Sequence, residues 1–326
     1  MASVNTAHLV DGADEVHKMV LAQHMRTEVR FLVLGSRREL ICGSFAKPLD
    51  FAALLRETFA KFSNRGRVKM MLRLFPAALA AAVVLAAVPA SAEMKNEWVE
   101  YSHGSVKLKA YMAYDDKITG RRPAVFVVHA REGMTPKTQQ LTELWAKLGY
   151  VAFATDIFGY GQGVLPKDVP EMTAQTEIYS KDRPLMRART QAGYDTFMKN
   201  PMVDPSKVAL IGYCFGGAVG VEFGSTGAPL ALNVSIHGSF RNHHEGWAKS
   251  AKGMYLILHG AEDEGFPLPV VDKVIQELRG AKLPFQYEVY SGTGHGFSSP
   301  KNKAEERANA QSIATTSRTM KELFGI

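Results

Sequence analysis

The run Val208-Ala-Leu-Ile-Gly-Tyr-Cys-Phe-Gly-Gly-Ala218 constrains this chain more than any other stretch. A short apolar segment meets a turn pinched between Gly212 and Gly216, and a run of small residues follows. Gly212-Tyr213-Cys214-Phe215-Gly216 has the G-x-nucleophile-x-G form of a strand–turn–helix elbow, with cysteine where serine usually sits. Such a turn strains the backbone of its central residue, so the residues two places to either side must be small. The helix that follows aims its first N–H groups at the central side chain and favours a thiolate there. A lone cysteine would read as an inert core residue, because free Cys is among the most buried residue types. In this frame Cys214 reads as a nucleophile.

The rest of the chain supplies the sheet such an elbow needs. Trp98–Val99 and Val106–Tyr114 alternate around Gly104 as an antiparallel hairpin would. Ala124–His129 is a continuous apolar run, expected of a strand covered on both faces. Residues 137–149 have helical spacing, with Leu141, Leu144, Trp145 and Leu148 on one face. Val151–Asp156 reads as a strand, 157–170 as a Gly- and Pro-rich loop, and 171–199 as one or two helices with Pro184 near a start. After the elbow strand Val208–Gly212 and its helix, strands are expected at Leu232–His237, Met254–His259 and Phe285–Tyr290. Helices are expected at Leu268–Arg279 and Lys303–Leu323. Strands alternating with helices predict an α/β protein with a doubly wound, mostly parallel sheet and helices on both faces. Residues 93–326 suit one domain of that kind.

A nucleophilic cysteine needs a base, and the base needs an orienting group. In doubly wound sheets such groups gather beyond the carboxyl ends of strands. Asp263 follows the strand ending at His259, in His259-Gly-Ala-Glu-Asp-Glu, and His295 follows the strand ending at Tyr290, in Gly294-His-Gly-Phe297. The chain order nucleophile, acid, histidine is that of α/β-hydrolases. The oxyanion hole of that fold takes the N–H after the nucleophile, here Phe215, and one from the loop after an earlier strand, here Arg131. His129, His237 and His259 also end strands and are expected to pack or hydrogen-bond near the site. No metal-ligand spacing accompanies them, so no metal site is expected there.

The formal charge of +7 does not point to nucleic acid. Residues 1–92 hold 12 Lys and Arg against 7 Asp and Glu, whereas residues 93–326 hold 27 against 25 with no basic stripe. Met70-Met71-Leu72-Arg73, the uncharged run Leu74–Val88 and Pro89-Ala-Ser-Ala92 follow the order of a secretory signal peptide with an A-x-A cleavage site. The run is short of the ~20 apolar residues a membrane span needs. Residues 70–92 are thus expected to be removed. The mature chain would be periplasmic, begin at Glu93, and have no stable membrane association. Cys214 would be its sole cysteine, which allows no intrachain disulfide. Residues 1–69 carry no readable motif and remain unassigned, consistent with translation starting at Met70 or Met71.

Gly212-Tyr-Cys-Phe-Gly-Gly-Ala218, His259-Gly-Ala-Glu-Asp263, Gly294-His-Gly-Phe297 and Asp156-Ile-Phe-Gly159 together resemble the dienelactone hydrolase family, from about Pro123 to the C-terminus. The resemblance implies a Cys214–His295–Asp263 triad on an α/β-hydrolase fold. It also implies hydrolysis of a small-molecule ester or lactone without a cofactor. The family commonly has a glutamate contacting the resting thiol directly after the position of His129. Here Ala130 stands there and Glu132 is the nearest carboxylate, hence the candidate for thiol control. Arg187 and Arg189 are the candidates for holding a substrate carboxylate. Two other readings of Cys214 remain at this point: a redox-active thiol, which would lack a resolving cysteine in the mature chain, and a vestigial site on a binding module.

Overall fold

The computed structural model describes residues 94–240 and 244–326. The unassigned stretch 1–69 and the expected leader 70–92 lie outside the described residues. β1 (Met94–His103) and β2 (Val106–Asp115) form the expected hairpin, closed by a turn in which Gly104 takes φ +60°. β3 (Arg122–Val128), β4 (Val151–Thr155), β5 (Val203–Tyr213), β6 (Leu232–Ile236), β7 (Met254–Gly260) and β8 (Phe285–Tyr290) complete one eight-stranded sheet in the order β1-β2-β4-β3-β5-β6-β7-β8. β1–β2 and β2–β4 are antiparallel and every other pair is parallel.

The helices are α1 (Pro136–Lys147), α2 (Val169–Lys181), α3 (Arg183–Met198), α4 (Phe215–Gly224), α5 (Leu268–Gly280) and α6 (Lys303–Phe324). Alternation along the strands divides the core between the two faces. Val125, Val127 and Ile211 pack with Trp145 of α1 and with Met320 and Phe324 of α6. Ala124, Phe126 and Leu210 pack on the other face with Phe197 of α3 and with Val219 and Phe223 of α4. α5 covers the β7 end through Val271, Val274 and Leu278. This is the expected doubly wound α/β-hydrolase architecture. Among the described residues no helix is long and apolar enough to cross a membrane.

Two local expectations are corrected. The buried seam of α1 is Thr138, Thr142, Trp145 and Ala146, while Leu141 and Leu148 are only partly buried against it. The threonines can be buried because their hydroxyls donate to the Gly133 and Thr138 carbonyls, at 2.8 Å each. β5 begins at Val203, five residues before the apolar run, and a register shift against β3 between Arg122 and Ala124 absorbs its polar start. The segment 171–199 resolves into two helices, with Asp182 closing α2 and capping α3 by accepting from the Leu185 N–H at 2.9 Å.

One acid organises the loop after β4. Asp156, fully buried, accepts from the N–H groups of Lys109 (3.0 Å), Gly159 (2.8 Å) and Gly161 (3.2 Å). Each of those N–H groups would otherwise need another partner, and a buried one left without costs about 1–3 kcal/mol. The Asp-Ile-Phe-Gly run thus fixes where Phe158 presses on the elbow helix, its ring 5.4 Å from that of Phe215.

Candidate active site

The carboxyl ends of the strands place the candidate residues side by side. Cys214 follows β5, Asp263 follows β7 and His295 follows β8. Cys214 adopts φ 53° and ψ −113°, the strained conformation expected at the elbow. The strain is held from both sides. The Cys214 N–H donates to the Ile236 carbonyl at 3.0 Å, and the Cys214 carbonyl accepts from the N–H groups of Gly217 and Ser239 at 3.0 Å each. The glycines are required sterically: a Cβ on Gly212 would overlap the Gly216 carbonyl, and one on Gly216 would overlap the Val128 carbonyl.

His295 Nε2 lies 3.0 Å from Cys214 Sγ, and His295 Nδ1 lies 2.7 Å from Asp263 Oδ2. The acid has no exposed side-chain surface, whereas the histidine is 29% exposed. Asp263 Oδ1 accepts from the Phe266 N–H at 3.0 Å. Burial pushes the Cys214 thiol up, but the hydrogen bond and charge of His295, the Ser239 hydroxyl and the Arg131 N–H together bring it below its ordinary value. Burial pulls His295 down, yet its bonds and charge interactions with Asp263 and Cys214 raise it to about 10. Asp263 is pushed up by burial and brought below its ordinary value by His295 and the Phe266 N–H. All three shifts are in the direction that favours a thiolate–imidazolium–carboxylate array.

The two oxyanion candidates come from the elbow helix and the loop after β3. Phe215 is the first residue of α4, so its N–H has no acceptor within the helix. The Arg131 backbone N–H reaches the thiol from the loop after β3. Ser239, three residues past β6, places its hydroxyl 3.5 Å from Sγ. Nothing in its local sequence singled it out.

Two expected roles are corrected. Glu132 does not contact the thiol; it pairs with Arg131 at 3.6 Å, and both side chains are more than two-fifths exposed. Gly133, at φ +77°, turns the loop so that the N–H of Arg131 and not the carboxylate of Glu132 faces Cys214. Arg187 does not line the cavity. It and Arg183, one helical turn apart, grip the buried Glu222 of α4 at 2.7 and 3.0 Å. Arg189 is turned inward, 6% exposed, toward Tyr101 and Tyr179.

The other strand-end histidines buttress the site. His237 Nε2 lies 2.7 Å from Ser298 Oγ, and its ring stands edge-on to that of His295 at 5.2 Å. His259 Nε2 donates to the Phe266 carbonyl at 2.8 Å and lies 3.5 Å from Asp263 Oδ2. Burial pulls both below the ordinary histidine value, which favours their neutral form beside Cys214, His295 and Asp263. Among the described residues no group of three or more His, Cys, Asp or Glu is arranged to hold a metal. A cavity of about 640 Å³ takes in Cys214 and His295, and Phe215, Phe240, Phe266 and residues of α2 also line it.

The model of the dienelactone hydrolase family matches residues 108–325. The chain belongs to this family. A Synechocystis sp. protein provisionally described as a carboxymethylenebutenolidase is 26% identical over 257 residues, 71% of this chain and 97% of that one. A mouse carboxymethylenebutenolidase homolog is 23% identical over 58% of this chain and 76% of its own length. Among solved structures, a dienelactone hydrolase-like promiscuous phosphotriesterase from metagenomic libraries superposes with TM-score 0.66 at 30% identity, covering 71% of this chain and 99% of that one. This dienelactone hydrolase-like protein is therefore a hydrolase of a family acting on lactones and esters.

Proposed function

We propose that this protein hydrolyses a small carboxylic ester or lactone through a thioester on Cys214, with His295 as proton carrier and Asp263 as its orienting partner. The observation that carries the reading is the single line of contacts from Asp263 Oδ2 through both ring nitrogens of His295 to Cys214 Sγ, at 2.7 and 3.0 Å. The thiolate attacks the carbonyl carbon and forms the C–S bond. The displaced electron pair goes to the oxygen, which the Phe215 and Arg131 N–H groups hold. Removing one such donor from an enzyme of this kind costs about 2.7–4 kcal/mol of barrier. Collapse breaks the C–O bond, and the alkoxide takes the proton from His295 Nε2. Neutral His295 then accepts a proton from water as that water attacks the thioester, which releases the acid and restores the thiolate–imidazolium pair. No cofactor enters. The cavity volume suits a small molecule.

Stopped-flow hydrolysis of p-nitrophenyl acetate tests the reading. A burst of one p-nitrophenolate per chain is expected, with the acetyl group found on the Cys214 peptide by mass spectrometry. Turnover with no acyl group on Cys214 at any time would sink the covalent route.

The leader carries a second proposal, that the enzyme is exported to the periplasm and cleaved after Ala92. N-terminal sequencing of the native protein is expected to begin at Glu93; a peptide from residues 1–69 would exclude it.

A further inference from the structure

The hydrolytic reading leaves one buried titratable group beside the elbow without a task. His129 is 1% exposed at the end of β3, its ring 4.6 Å from that of Phe158 and 6.2 Å from that of Phe215. The Ile157 N–H donates to its Nε2 at 3.2 Å, so that nitrogen carries no proton and Nδ1 does. Nδ1–H donates to the Ala130 carbonyl at 2.7 Å. Burial pulls the ring below the ordinary histidine value against the attraction of Asp156 and Glu132, which keeps it in this neutral form.

The Ala130 carbonyl and the Arg131 N–H belong to one peptide unit. In a trans peptide the two point to opposite sides of the chain. Whatever holds the carbonyl therefore aims the N–H, and that N–H faces Cys214 Sγ. Gly133 N–H also donates to the same carbonyl, at 3.1 Å, so the loop's own turn contributes. An apolar side chain could fill the slot between Phe158 and Phe215. Only a side chain with a donor in this place adds a second grip on the peptide.

We propose that His129 is a positioning residue of the oxyanion site: it fixes the Ala130–Arg131 peptide so that the Arg131 N–H points at the oxygen developing on the substrate. The proposal rests on the cysteine-hydrolase reading. The hydrogen bonds run in series, from Ile157 N–H to Nε2, then Nδ1–H to the Ala130 carbonyl, then Arg131 N–H to the oxyanion. Bonds arranged in this way polarise one another, which strengthens the last of them.

The test separates oxyanion stabilisation from thiol reactivity. Acylation by p-nitrophenyl acetate develops an oxyanion. Alkylation by iodoacetamide displaces iodide at a saturated carbon and develops none. With His129→Leu, the single-turnover acylation rate constant is expected to fall about tenfold, since complete loss of a donor costs on the order of 10²–10³-fold and here the donor is loosened rather than removed. The p-nitrophenyl acetate concentration giving half the maximal rate stays unchanged. Iodoacetamide alkylation, measured above the thiol's titration, stays within about twofold of wild type. His129→Asn, whose short amide can donate to the Ala130 carbonyl, recovers part of the acylation rate. His129→Gln, whose longer amide reaches toward Ile157, recovers less. Equal falls in acylation and alkylation, or acylation within twofold of wild type in the leucine variant, overturn the proposal. Should His129→Leu not fold, the asparagine and glutamine variants decide it, and glutamine equal to or better than asparagine overturns it. Failure of the hydrolase reading shows separately, as ester turnover that survives Cys214→Ala.

Discussion

His295→Ala is expected to lower ester acylation by on the order of 10³-fold or more and to move the acid limb of Cys214 alkylation upward in pH. Both effects come from one contact. Burial alone pushes the Cys214 thiol up, and the opposing His295 hydrogen bond, 3.0 Å from Sγ, is the largest cause of its net lowering. An acid with a lowered pKa stays ionised as the pH falls, until the pH passes that lowered value. Wild-type Cys214 therefore keeps its thiolate form to a lower pH than an unperturbed thiol would. Without His295, the Ser239 hydroxyl and the Arg131 N–H must offset burial by themselves, and the thiol's pKa rises. Iodoacetamide rates between pH 5 and 9, with Cys214→Ala as the blank, should show the acid limb of wild type at lower pH than that of the variant. On the alkaline side the imidazolium is held to about 10, so the proton needed by the leaving alkoxide persists well past neutrality in wild type. Superimposable alkylation profiles would mean that the pair is not charged in the resting enzyme.

The parts of this site that the sequence made legible are those in which backbone geometry dictates residue type. Gly212 and Gly216 are forced by the carbonyls their side chains would strike, so the elbow could be read before any fold was known. The carboxyl ends of strands collect Cys214, Asp263 and His295, so strand assignment plus chain order sufficed for the array. Arg131 was legible as a candidate because the role proposed for it uses the backbone N–H and is indifferent to the side chain. Roles that depend on where a long side chain goes were not. Glu132 lies two residues from the missing glutamate, but the turn at Gly133 leaves it at the surface with Arg131. Arg187 and Arg183 are spent on Glu222, a pairing that needs the packing of α3 on α4 to be known. Ser239 reaches the sulfur from a loop that starts with His237 at φ 44°, and a histidine in that conformation has no signature in sequence. In the same way α1 looked leucine-faced, since nothing local reveals that Thr138 and Thr142 have acceptors waiting inside.

Asp263→Asn should reduce acylation by on the order of 10²–10³-fold, less than the ~10⁴ the equivalent change costs a serine protease, while also destabilising the fold. In the serine enzyme the resting histidine is neutral and the amide imposes the wrong tautomer. In the proposed resting pair both ring nitrogens carry protons, and an amide oxygen can still accept from Nδ1–H, as it does in Cys-His-Asn enzymes. The difficulty lies on the other side of the carboxylate. Oδ1 is already occupied by the Phe266 N–H at 3.0 Å, and the side chain has no exposed surface through which water could substitute. Asparagine offers one acceptor to two donors. If its oxygen serves His295, the Phe266 N–H faces an NH₂ group and stability falls by about 1–3 kcal/mol. If it serves Phe266, His295 loses its orienting partner. In either state the negative charge that helps raise His295 is gone, so its pKa falls and that of Cys214 rises with it. The acid limb of alkylation should then lie between those of wild type and His295→Ala, and the urea midpoint should drop. An alkylation profile and acylation rate equal to wild type would remove Asp263 from the array and leave Cys214–His295 as a dyad.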